Sequence, residues 1–145
     1  MAPSIGLNLR VTGHCNQGGR KYMEDVFSVA YQQTDDEMDL EYAFFGIFDG
    51  HGGKEAAVFA KVNSILNIVF YGAPSNQCVF QEHLMDNIVK HQNFWSENDD
   101  LVLKAIRDGF LKTQNDMWAD LPNWAKTNSG LPSTAGTTAS IAFIR

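Results

Sequence analysis

The stretch Tyr42-Ala43-Phe44-Phe45-Gly46-Ile47-Phe48-Asp49-Gly50-His51-Gly52-Gly53 decides the fold. Its opening, Tyr42 to Phe48, is a continuous apolar run of strand length, which predicts a central strand covered on both faces. Phe48 to Gly53 then interrupts the run with a carboxylate, an imidazole and glycines. Beyond it the period turns helical. Ala57, Ala60, Ile65, Leu66, Val69 and Phe70 recur on one side until Gly72 and Pro74 stop the pattern, so a long helix is predicted from Gly53 to Phe70. Side chains emerging where a rigid strand gives way to a helix are well placed for binding or catalysis.

Toward the N-terminus, Ile5, Leu7, Leu9 and Val11 alternate with Gly6, Asn8, Arg10 and Thr12, the period of a strand with one buried face. Asn16-Gln17-Gly18-Gly19 is a turn cluster. Val26 to Gln32, rich in β-branched and aromatic residues, predicts another strand, and the acidic stretch Gln33 to Glu41 a solvated hairpin loop. Toward the C-terminus, Ala73 to Glu97 is ambiguous, with room for a short helix over Val79 to His91. Asn98 caps a further helix whose first turn carries Asp99 and Asp100, suiting the positive end of the dipole. Leu101, Ala105, Ile106, Phe110 and Met117 line one face of that helix, and Gly109 is tolerated at some cost. Leu121 to Thr134, with Pro122, Gly130 and Pro132, reads as a connecting loop, and Gly136 to Ile144 as a strand. A strand ending at Arg145 calls for partners on either side, so the chain is expected to be the front portion of something longer.

With 145 residues, 44% hydrophobic and 19% charged, one domain is expected, and wholesale disorder is excluded. A net charge of −6 disfavours a nucleic acid partner. No run approaches the ~20 apolar residues of a membrane span, and Met1 to Arg10 lacks the build of a signal peptide, so no membrane partner is expected and an intracellular setting is. Cys15 and Cys78 form no C-x-x-C pair and are expected to be free thiols.

Chemistry concentrates in two places. In Phe48-Asp49-Gly50-His51-Gly52-Gly53 a carboxylate can bind a hard divalent cation, glycine permits close backbone approach, and His51 can exchange a proton near neutrality. The plain alternative is a strand-to-helix turn with a capping Asp and an incidental His. In Gly18-Gly19-Arg20-Lys21-Tyr22-Met23-Glu24-Asp25, Arg20 offers a fork for phosphate and the adjacent acids could serve a metal or its waters; the alternative is an ordinary charged loop. Taken together, an arginine for phosphate and acids for cations suit metal-assisted phosphate hydrolysis. Elsewhere the bland reading holds. His14, His83 and His91 lack ligand spacing, Asp35 to Asp39 lacks the calcium-loop pattern, Lys54 is not in a phosphate loop, and Trp95, Trp118 and Trp124 read as packing residues, Trp118 on the buried face of its helix.

R-x-x-x-E-D at Arg20 to Asp25, F-D-G-H-G-G at Phe48 to Gly53 and G-L-P-S-T-A-G-T-T-A-S at Gly130 to Ser140, in that order, resemble the metal-dependent protein serine/threonine phosphatases of type 2C. Within the family, Gly18 to Asp25 and Met117 to Ser140 look most like the delta form, the nuclear phosphatase of the DNA-damage response. The resemblance implies an α+β fold, the first half of a four-layer α-β-β-α sandwich with mostly antiparallel sheets, so residues 1–145 would be the N-terminal part of one catalytic domain. It implies two Mg²⁺ or Mn²⁺ ions, with Asp49 bridging them and the Gly50 carbonyl on one. Arg20 would hold phosphate, and Glu24 and Asp25 would act through metal-bound waters. His51 would be the general acid for the leaving alkoxide, and the nucleophile a metal-bridging water. Phosphorylated proteins are the implied substrates, a monomer the implied state of the complete protein, and the cytoplasm or nucleus its setting. The family's V-G-D-S segment and two later aspartates find no counterpart up to Arg145, so isolated 1–145 is expected to hold cations poorly, to aggregate and to be inactive. The alternative is an inactive fragment that binds or regulates a partner; a nucleotide-binding α/β protein is disfavoured by the missing phosphate loop.

Overall fold

A computed structural model describes residues 9–34, 39–61 and 83–145. In these, β1 (Val26–Gln33) and β2 (Leu40–Phe48) form an antiparallel hairpin, and β5 (Ser140–Ile144) pairs antiparallel with the other edge of β2. β3 (Gly50–His51) and β4 (Gly136–Thr137) form a separate two-stranded ladder. The helices are α1 (Glu55–Ala60), α2 (Leu84–Val89) and α3 (Asp99–Asp120).

The apolar run does become the central strand. Tyr42, Phe44, Gly46 and Phe48 fall on one face by the period of two, and α2 and α3 pack over that face. Phe44, Phe48, Leu84, Ile88 and Phe94 are fully buried. Phe143 of β5 closes the layer, its ring 5.0 Å from those of Phe44 and Phe94. The expectation of cover on both faces is met only in part among the described residues, at Ala43, which is fully buried, and at half-buried Phe45. Phe27, Ile47 and Ile144 lie on the opposite face, 41%, 62% and 44% exposed, because the described helices all lie elsewhere. Within that limit the fold is mixed helix and antiparallel sheet.

Other differences have local causes. Leu9 to Val11 pair with no strand among the described residues, and residues 1–8 of the predicted strand lie outside the description. The hairpin loop is tighter than predicted: β2 begins at Leu40, and the Thr34 N–H donates to the Asp39 carbonyl at 2.9 Å. The first helix is described from Glu55 to Ala60, and its predicted continuation to Phe70 lies outside the described residues, as do residues 79–82 of the short helix. The single strand predicted from Gly136 to Ile144 is two, because Thr138 turns its N–H away to the Asp49 carbonyl.

The α3 start is as predicted: Asn98 Oδ1 accepts from the Asp100 N–H at 2.9 Å. Its packed face is as predicted in part: Ala105 is buried and Ile106, Phe110 and Met117 pack against the core. Ala105, Gly109 and Thr113, four apart, form the buried stripe, while Leu101 is 40% and Trp118 66% exposed. Gly109 is a requirement of packing there. A Cβ at 109 would collide with Ile88 Cγ1 and lie 3.1 Å from the Ile88 N and Cα, so its absence lets α2 and α3 touch backbone to side chain.

Candidate functional site

Past β2 the chain stays extended, and burial alternates: Phe48 buried, Asp49 exposed, Gly50 buried, His51 exposed. Asp49 and His51 therefore emerge together on the open side. Gly50 faces the chain that leads into β1, where a Cβ would strike the Glu24 carbonyl oxygen and sit 3.3 Å from the Ala57 Cβ. Only glycine lets the junction lie this close. Glu24 binds it a second way, its Oε1 accepting from the Gly53 N–H at 2.7 Å across 29 residues of sequence. The two motifs singled out in the sequence thus meet, Glu24 resting on the turn that carries Asp49 and His51.

The rest of the first motif stays apart. Asp25 is exposed. Arg20 is exposed in a turn closed by its own N–H to the Gln17 carbonyl at 3.4 Å and by Gln17 Nε2 to the Arg20 carbonyl at 2.8 Å. Among the described residues no hydrogen bond or ion pair joins the Arg20 guanidinium to Asp49 or His51.

Sequence reasoning missed the other wall of the site. The Thr138 N–H donates to the Asp49 carbonyl at 2.9 Å, and the Thr137 hydroxyl shares its proton between that carbonyl, at 3.0 Å, and the Thr138 carbonyl, at 2.8 Å, so the backbone of Asp49 is held from a segment 88 residues later. The signal was Gly136-Thr137-Thr138 itself, small and hydroxylated residues read as the start of a strand and as part of the motif Gly130 to Ser140, with no site role assigned to them. Because the main-chain carbonyl takes these bonds, the exposed Asp49 carboxylate keeps its oxygens for another partner, which suits a hard cation. Among the described residues no three His, Cys, Asp or Glu side chains come together, so a six-oxygen shell would need ligands from outside them. A cavity of about 450 Å³ opens beside His51, walled by Met117, Trp118 and Trp124.

Beside that cavity lies a polar seam between α2 and α3. Asn87 Nδ2 donates to Thr113 Oγ1 at 2.9 Å and to Asp116 Oδ2 at 3.0 Å. Burial pulls the Asp116 carboxyl up, but hydrogen bonds from Lys112 and Asn87 outweigh it and hold the group below the usual carboxylate range. Asp120 is likewise lowered by hydrogen bonds from Asn123 and the Trp124 indole. His83 stacks on Phe59 with ring centroids 3.7 Å apart, and burial lowers its pKa against the opposing pull of Asp116 and Asp120. His91 lies with its Nε2 3.3 Å from Asp108 Oδ2, and its Nδ1 accepts from the Asn93 N–H at 3.1 Å.

The chain matches the protein phosphatase 2C family over residues 9–145. A probable protein phosphatase 2C 30 of Arabidopsis thaliana is 34% identical over 103 residues, covering 71% of this chain and 22% of the relative. A probable protein phosphatase 2C 11 of the same plant is 30% identical over 128 residues, covering 88% and 25%. Protein phosphatase 2C homolog 2 of Schizosaccharomyces pombe is 30% identical over 105 residues, covering 72% and 22%. These matches run over no more than a quarter of each relative's length and take in 71% to 88% of this chain. By that extent of likeness, the chain belongs to the protein phosphatase 2C family.

Proposed function

We propose that the complete protein hydrolyses phosphoserine and phosphothreonine in proteins. The observation that carries this reading is the junction itself: Asp49 and His51 are exposed side by side on a backbone clamped between Glu24 and Thr137-Thr138. Two Mg²⁺ or Mn²⁺ ions held in part by Asp49 and the Gly50 carbonyl would lower the pKa of a water and offset charge on the phosphate. Glu24 fixes the turn, and with Asp25 it would orient waters. Arg20, exposed in its own turn, would grip phosphate oxygens as a fork. His51 would give its proton to the departing serine or threonine oxygen.

The reading carries several companions. The open face bearing Phe27, Ile47 and Ile144 would be covered by a second sheet, completing a four-layer sandwich and a monomer. The delta-like stretches Gly18 to Asp25 and Met117 to Ser140 support that subgroup, and with it a nuclear or cytoplasmic setting. A second reading, a fragment that binds or regulates a phosphatase, draws on the absence of a three-ligand cluster among the described residues.

The test is hydrolysis of a phosphothreonine peptide by the complete protein. Turnover that needs Mn²⁺, stops in chelator and survives iodoacetamide supports the reading. Activity that ignores chelator and is lost on thiol alkylation overturns it. A protein that binds an active phosphatase without turnover of its own would favour the second reading.

A further inference from the structure

We infer that Gly136 is a positioning residue for the His51 imidazole, and that Thr137 holds it in register with Asp49; the inference rests on reading His51 as the proton donor. His51 and Gly136 are directly opposed in the β3–β4 ladder. Opposed residues normally present two Cβ atoms ~4.5–5.5 Å apart. Here one is missing, and the ring lies over the gap. A Cβ at 136 would stand 2.5 Å from His51 Nε2, 2.8 Å from Cε1 and 3.3 Å from Cδ2. The observed placement of the exposed ring is one that only a residue without a Cβ at 136 leaves open. The slot is itself fixed relative to Asp49, because the Thr137 hydroxyl and the Thr138 N–H both bind the Asp49 carbonyl. Cation ligand and proton donor are thus indexed to one short ladder.

The nature of the collision makes the idea testable. An added methyl at 136 meets atoms of the imidazole, which can swing. Gly136 is not among the glycines with positive φ, so alanine adds no backbone strain. Gly136→Ala should therefore move the ring and spare the ladder.

The experiment compares two substrates in the complete protein: a phosphothreonine peptide, whose alkoxide needs a proton to leave, and p-nitrophenyl phosphate, whose phenolate does not. Gly136→Ala should lower kcat on the peptide about 10–100-fold and on p-nitrophenyl phosphate by no more than about 2-fold, the scale of a misplaced general acid. Mn²⁺ affinity by calorimetry should be unchanged. In a His51→Gln background Gly136→Ala should add nothing further. Equal losses on both substrates, weakened Mn²⁺ binding, or additive effects with His51→Gln overturn the inference alone. A His51→Gln protein with the parental ratio of the two activities overturns the reading of His51, and the inference with it. Should Gly136→Ala fail to fold, Thr137→Val must give the same substrate-selective loss and Thr137→Ser must restore it; failure of either overturns the claim.

Discussion

Replacing Gly109 by alanine pits two effects against each other, and the structure decides the sign. In an exposed helix interior alanine is favoured over glycine by about 1 kcal/mol, so propensity predicts a more stable protein. At 109 the new Cβ would collide with Ile88 Cγ1, which can rotate, and would lie 3.1 Å from the Ile88 N and Cα, which cannot. Relief requires α2 to move away from α3 as a unit, opening contacts around Leu84, Ile88 and Ala105 that are now fully or almost fully buried. Overpacking costs about 1–3 kcal/mol, and contact with backbone places this case near the top of that range. The net is a loss of about 2 kcal/mol, or a fall in Tm of roughly 4–8 °C. Urea denaturation followed by circular dichroism measures it. In an Ile88→Ala background the penalty should shrink by at least about 1 kcal/mol, since the atom met most closely is gone. A Gly109→Ala protein more stable than its parent, or strict additivity with Ile88→Ala, would refute the close α2–α3 contact.

Asn98→Ala should cost about 1 kcal/mol in the same assay through loss of the cap on the Asp100 N–H, and an unchanged midpoint would contradict the cap. His83 gives a pH dependence whose sign follows from its lowered pKa. Well above its ordinary 6.5 the group is neutral in both states and its contribution is complete; as pH falls through 6.5 toward the folded value, the unfolded chain takes up a proton that the folded chain resists, and stability drops. His83→Phe, which keeps a ring on Phe59, should lose this part of the acid sensitivity in denaturation curves; a parallel pH profile would contradict it. Arg20→Ala should weaken competitive inhibition by free phosphate while leaving Mn²⁺ binding intact, and unaltered phosphate inhibition would remove Arg20 from the site.

The central strand, the cap at Asn98 and the turn at Asp49 to Gly53 were legible in the sequence because each is set by near neighbours: an apolar run, a side chain two residues from its N–H, a cluster of glycines. What was not legible depends on residues far apart. Gly109 reads as a flaw in a helix until Ile88 is placed against it. Trp118 fits the apolar stripe by spacing alone, yet α2 settles on the smaller Ala105, Gly109 and Thr113, which leaves the indole outside. Gly136 to Ile144 has the composition of one strand, and the distant Asp49 carbonyl, by taking the Thr138 N–H, splits it. Arg20 and Glu24 share a motif, but the structure ties only Glu24 to the junction, through the Gly53 N–H.

Asp49 carries the central claim, since its carboxylate is exposed while its carbonyl is held by Thr137 and Thr138. The most direct measurement is Mn²⁺ titration of turnover on a phosphothreonine peptide by the complete protein and by its Asp49→Asn variant, checked to have the same denaturation midpoint. The account predicts saturable Mn²⁺ activation in the parent and a loss of at least about 100-fold in the variant, because under the proposed reading Asp49 would hold the cations through its negative charge, which a neutral amide lacks. An Asp49→Asn protein that keeps parental turnover with the same Mn²⁺ dependence would contradict it.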